Sequence, residues 1–70
     1  MNEQINVAKL RLARLSKGYS QATLAKMASV SILTINFIEA KKTKMPHPNT
    51  LKKICDVLGI NVLDIYKEVG

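Results

Sequence analysis

The chain is short of almost everything that metal chemistry, covalent bracing or catalysis would need. Cys55 is its one cysteine and His47 its one histidine, too few for a zinc site and with nothing for an intramolecular disulfide. A lone cysteine suits a reducing, cytosolic compartment, so a cytoplasmic location is expected. Glycine occurs three times, isolated at positions 18, 59 and 70, which leaves no Gly-rich phosphate loop. No Ser/His/Asp or Cys/His arrangement stands out, because His47 lies between two prolines and Cys55 falls on an apolar stripe. Neither enzymatic activity, a cofactor nor a metal is therefore expected. No apolar run approaches the roughly 18 residues of a membrane-spanning helix. The opening "MNEQINVAKL" also lacks the basic-then-apolar order of a signal peptide.

Acidic residues are scarce too. Five Asp/Glu face eleven Lys/Arg, a net charge of +6 and a pI near 9.8. With no membrane segment, that excess points to nucleic acid, although solubility alone would carry similar charge. What the chain does have is a hydrophobic content of 47% over 70 residues, enough for one small domain. A core this size holds only a few kcal/mol of margin, so it needs a closely packed helical bundle or a partner subunit.

Helical periodicity dominates, and no strand pattern competes with it. A first helix is expected from Glu3 to Lys17, stopped by Gly18. Ser20 caps a second helix from Gln21 to about Ala28, and Ser31 caps a third to about Ala40. The basic stretch "KKTKMPHPN" follows, where Pro46 and Pro48 forbid a continuous helix. Asn49 then caps Thr50 to Leu58, Gly59 closes that helix, and Asn61 opens a last one through about Glu68.

The faces say more than the boundaries. Leu51, Ile54, Cys55 and Leu58 fall at i, i+3, i+4 and i+7, a core stripe that makes Cys55 a small buried hydrophobe. Leu24 and Ala25 face inward, the small Ala25 allowing a close helix crossing. In the third helix Ile35, Ile38 and Glu39 share one side, while Leu33, Asn36, Phe37 and Ala40 lie opposite. The first helix is apolar on two sides. Ile5, Ala8, Leu12 and Leu15 form one stripe and Val7, Leu10 and Ala13 another, which the short last helix is expected to cover.

A two-turn helix, a three-residue break at "ASV" and a second helix with a free outer face make a helix-turn-helix. In that arrangement the first helix aims its N-terminus at a phosphate and the second enters the major groove.

The residues "YSQATLAKMASVSILTINFIEAKKTKMPHPNTLKKICDVLGINVLDIY" resemble the helix-turn-helix domain of lambdoid phage repressors and Cro proteins, the XRE family. The resemblance covers roughly residues 10 to 66. Counting from Gln21, Ala25 fills the fifth place of that motif, Val30 the tenth, Ile35 the fifteenth and Ile38 the eighteenth. "SQ" before "LA", "IE" closing the third helix and "LGINVLDI" near the end add to it. The resemblance implies an all-α, five-helix, lambda-repressor-like bundle filling residues 1–70 as a single domain, with its motif at 21–40. It implies a transcription regulator, a repressor of a phage-like or mobile-element circuit, acting as a homodimer on a two-fold operator in double-stranded DNA.

Residue roles follow from the same resemblance. Arg14 and Glu39 match an Arg and a Glu that form an internal salt bridge. Lys42, Thr43 and Lys44 match a loop that grips flanking phosphates. Gln21 is placed to reach a phosphate or to brace the third helix, and the phosphate role is the favoured one because amide and helix dipole act together. Leu63 and Tyr66 are the candidates for a two-fold contact, with Val62 and Ile65 facing the core.

Two departures stand out. Ser29 occupies a place where the family often has Gly in a left-handed turn, at a cost of about 1 kcal/mol. In "SVSILTINFIEA", moreover, Ile32, Leu33 and Phe37 stand where phage repressors carry polar base readers. One reading keeps DNA: these side chains pack on thymine methyls, Asn36 offers a bidentate amide to adenine and Thr34 touches a phosphate or base, giving an A·T-rich site. The other makes the face a patch for a protein partner, the chain then being an antirepressor or accessory subunit.

Overall fold

A computed structural model describes the backbone of residues 2–40 and 46–69, with side chains for 5–40 and 46–66. Five helices form an all-α bundle. They are α1 (Val7–Ser16), α2 (Gln21–Ala28), α3 (Ile32–Glu39), α4 (Pro48–Leu58) and α5 (Val62–Ile65). Each starts at a side-chain cap. The Thr23 amide donates to Ser20 Oγ at 3.0 Å, the Leu33 amide to Ser31 Oγ at 3.1 Å and the Leu63 amide to Asn61 Oδ1 at 2.9 Å. These satisfy donors that a helix start would otherwise leave open.

Three boundaries differ from the sequence reading. Helix α1 begins at Val7 rather than Glu3, with Asn6 as its cap. His47, not Asn49, caps α4: its Nδ1 accepts from the Asn49 amide at 3.1 Å, and Pro48 takes the first helical position, where a missing N–H costs nothing. Helix α5 ends at Ile65 instead of about Glu68. The residues released at the two ends pair with each other. Strands β1 (Asn2–Ile5) and β2 (Tyr66–Val69) run antiparallel, Ile5 opposite Tyr66 and Asn2 opposite Val69. Glu3 and Gln4 are good helix formers, but a propensity of a few tenths of a kcal/mol yields to a ladder that ties the chain ends together.

Leu10, Leu24, Ile35, Ile38, Leu51, Ile54, Cys55 and Ile65 form the centre of the core, each below 2% exposure. Helix α4 contributes the stripe expected of it, and α2 packs against both α3 and α4. On α1 the Val7, Leu10 and Ala13 side lies on the core. The other stripe divides. Ile5 is buried in β1, whereas Leu12 and Leu15 are 66% and 51% exposed.

Between α2 and α3 the chain turns at Ser29, whose φ of 58° and ψ of 43° are left-handed. It is the single non-glycine residue with positive φ among those described, and its amide closes α2 onto the Lys26 carbonyl. A Cβ in that region is strained. Ser29→Gly is therefore expected to stabilise the domain by about 0.5–1 kcal/mol net of unfolded-state entropy. Thermal unfolding would show a rise of about 4 °C, and a lower midpoint would mean that the Ser29 side chain itself supports the turn.

Candidate nucleic-acid interface

The α2–turn–α3 unit is fixed from behind by a charged network. Arg14 Nε donates to Glu39 Oε2 at 2.6 Å and Nη2 to Oε1 at 2.8 Å, a bidentate pair. The two side chains are 8% and 6% exposed. Arg14 Nη1 also donates to the Tyr19 carbonyl at 2.8 Å, so one guanidinium ties α1 to the segment leading into α2 and to the end of α3. The pair that the resemblance implied is present, and its geometry is the strong kind.

Burial alone would raise the Glu39 carboxyl. Hydrogen bonds from Arg14 and Gln21, with the charges of Arg14 and Arg11, outweigh that effect and hold it below the usual carboxylate range. On Arg14 the hydrogen bond to Glu39 raises the guanidinium, burial opposes it and the Glu39 charge adds to the rise. Both groups stay charged at neutral pH, and their partners satisfy them.

Gln21 joins this network. Its Nε2 donates to Glu39 Oε1 at 3.0 Å, so the amide braces α3, the second of the two roles read from the sequence. The phosphate role favoured there is reduced to the amide's remaining N–H, because one proton of Nε2 is already committed. The sequence offered bracing as one of two roles for Gln21, at the start of the motif. Only packing could show that the two ends meet.

The outer face of α3 is as the periodicity required. Ile35 and Ile38 are each 1% exposed, while Ile32, Leu33 and Phe37 are 44%, 57% and 45% exposed. Asn36 is half-buried among them, and Thr34 is half-buried at the edge. At about 100° per residue Ile32, Asn36, Leu33 and Phe37 span one continuous arc. The structure thus brings together the four residues proposed as base readers on one surface. Lys42, Thr43 and Lys44 lie outside the described residues. The described chain resumes at Pro46, which is buried.

Leu63 and Tyr66 do not share a helix face. Leu63 is 71% exposed on α5, but Tyr66 has left the helix for β2 and packs half-buried against the core. The expected last helix does not reach Tyr66, because the backbone turns extended there.

Burial, together with the Asp56 charge, pushes the Cys55 thiol up to about 11, so it is a packed thiol and a poor nucleophile. No cluster of metal-ligating side chains occurs among the described residues. None of the described helices is long and apolar enough to cross a membrane.

A helix-turn-helix family model matches residues 10–65. The chain belongs to the XRE-type helix-turn-helix family of DNA-binding transcription regulators. It is similar to the N-terminal DNA-binding domain of SinR from Bacillus subtilis, with 30% identity over 81% of this chain and 83% of that one and a TM-score of 0.78. A structure of SinR, the master regulator for biofilm formation, in complex with DNA is similar at 29% identity over 84% of this chain and 94% of that one, TM-score 0.79. The SinR/SinI protein complex matches at 28% identity over 86% of this chain and 58% of that one, TM-score 0.81. Among curated protein sequences none matches the chain at a significant level.

Proposed function

We propose that the protein is a sequence-specific transcriptional repressor that sets α3 in the major groove of double-stranded DNA and binds a two-fold operator as a homodimer in the cytoplasm. The observation that carries this reading is the outer arc of α3, in which a polar amide, Asn36, sits among three exposed apolar side chains. Behind that arc, Ile35, Ile38 and the Arg14, Glu39 and Gln21 network hold the helix against the bundle. Such rigid presentation is what base reading needs. The likeness to a SinR structure solved with DNA supports the same use of the fold.

In this reading Asn36 hydrogen-bonds an adenine edge, and Ile32, Leu33 and Phe37 pack on thymine methyls. Apolar contacts discriminate weakly, so part of the selectivity comes from the shape of A·T-rich DNA. Thr34, Lys42, Thr43 and Lys44 meet flanking phosphates, and the remaining N–H of Gln21 reaches one more at the start of α2. Leu63, exposed on α5, is the two-fold contact, and Tyr66, half-buried against the core, is not on its helix face.

Selection from random duplexes at two salt concentrations tests the proposal. The lysines Lys42 and Lys44 of both protomers give four cationic phosphate contacts and a slope of log K against log salt of about −4, and the selected pool should converge on a two-fold, A·T-rich site that Phe37→Ala loses or alters. Shallow salt dependence with no enrichment, unchanged by Phe37→Ala, would overturn operator reading and assign the α3 face to a protein partner.

A further inference from the structure

Among the described residues, the outer side of α1 is used neither by the bundle nor by the proposed DNA surface. Leu12 and Leu15 are 66% and 51% exposed there, and Ala8, also exposed, completes an i, i+4, i+7 stripe. Arg14 fixes the orientation of this stripe, because its side chain is tied to Glu39 on α3. At 100° per residue, Leu15, Ala8 and Leu12 lie roughly 100° to 160° around the axis from Arg14. The stripe therefore faces away from the side of α1 that meets the helix-turn-helix. Arg11 borders it on one flank and Lys9 on the other, both exposed, and α1 contains no acidic residue.

We infer that this face is a docking surface for an amphipathic helix of another protein, one with an apolar stripe flanked by Asp or Glu. The shape follows from the stripe, since i, i+4, i+7 positions on one helix accept a matching row from a second. Charge selects the occupant. A second copy of this chain would set Lys9 and Arg11 against their own equivalents in a protein already at +6, whereas acidic flanks turn the same rim attractive. Because the face points away from α3, occupancy leaves DNA binding intact.

The test uses a stapled helical peptide with a leucine stripe flanked by glutamates, a twin with lysines in place of the glutamates, and the full chain with and without duplex DNA. Backbone amide shifts should move at Ala8, Leu12 and Leu15 on adding the glutamate peptide. The lysine twin should bind at least about tenfold more weakly, and shifts should persist with DNA bound. Leu12→Glu should abolish peptide binding and leave DNA affinity within about twofold, since an exposed position far from the groove changes neither fold nor contacts. Leu15→Ala, which alters no charge, should weaken the peptide only in part. Equal binding of both peptides, shifts centred on α3, or no binding by either would overturn the inference. So would concentration-dependent self-association that Leu12→Glu removes, which would assign the face to a second copy.

Discussion

Replacing Arg14 by Ala is expected to cost the domain about 3–5 kcal/mol, because it strands a buried carboxylate that now holds two guanidinium hydrogen bonds. The Tyr19 carbonyl loses its donor in the same step. In a domain whose whole margin is a few kcal/mol, the thermal midpoint should fall by about 15 °C or more. Circular dichroism during urea and thermal unfolding reads this directly. Replacing both partners with apolar residues of similar volume should recover much of the loss, since the penalty comes from the unpaired charge rather than from the missing pair. A single variant as stable as the parent would show that the pair is merely tolerated.

The same network sets an acid limit. Glu39 is held below its ordinary value of 4.5, so the folded protein binds its proton less readily than the unfolded chain. Its stabilising contribution is complete above that value and is lost as pH falls through the lower, folded one. Glu39→Gln should flatten the acid limb of the stability profile, at the price of lower stability at neutral pH. An unchanged acid limb would assign acid unfolding to other carboxylates.

The second large effect concerns sequence choice. Asn36 is the one amide on the outer arc of α3, so Asn36→Ala should reduce discrimination at a single operator base pair by about 1–3 kcal/mol, a factor of roughly 5 to 150. Affinity for unrelated DNA should change little, because phosphate contacts supply that binding. Competition binding with operators substituted at each position checks it. A uniform loss across all duplexes would mean that Asn36 supports the helix and reads nothing, leaving the apolar residues as the only candidates for direct readout.

Most of this architecture was legible in local chemistry. Ser20, Ser31 and Asn61 marked helix starts because a short polar side chain before an apolar period has few other uses. The stripe of Leu51, Ile54, Cys55 and Leu58 could face nothing but a core. The exposed arc of α3 followed from counting, since Ile35 and Ile38 cannot point inward without sending Leu33 and Phe37 outward.

The failures share a physical cause. His47 caps α4 through its ring nitrogen, a use of histidine that propensity does not signal, and Pro48 behind it fits the first helical turn as well as it fits a loop. The terminal strands were missed because four residues are too few to show alternation, and each pairs with a segment some sixty residues away. The two apolar sides of α1 were equivalent on paper.

The sequence by itself determined the helical bundle, the helix-turn-helix spacing and the apolar outer face of α3, because capping, periodicity and charge act over a few neighbouring residues, while the Arg14 and Glu39 pair came from the family resemblance. Tertiary structure alone decided that Gln21 turns its amide to Glu39, that Leu12 and Leu15 stay in solvent, that Tyr66 leaves its helix and that the chain ends pair as strands. Each of these depends on which distant surface arrives to compete for the same group, and only the packed fold brings those competitors together.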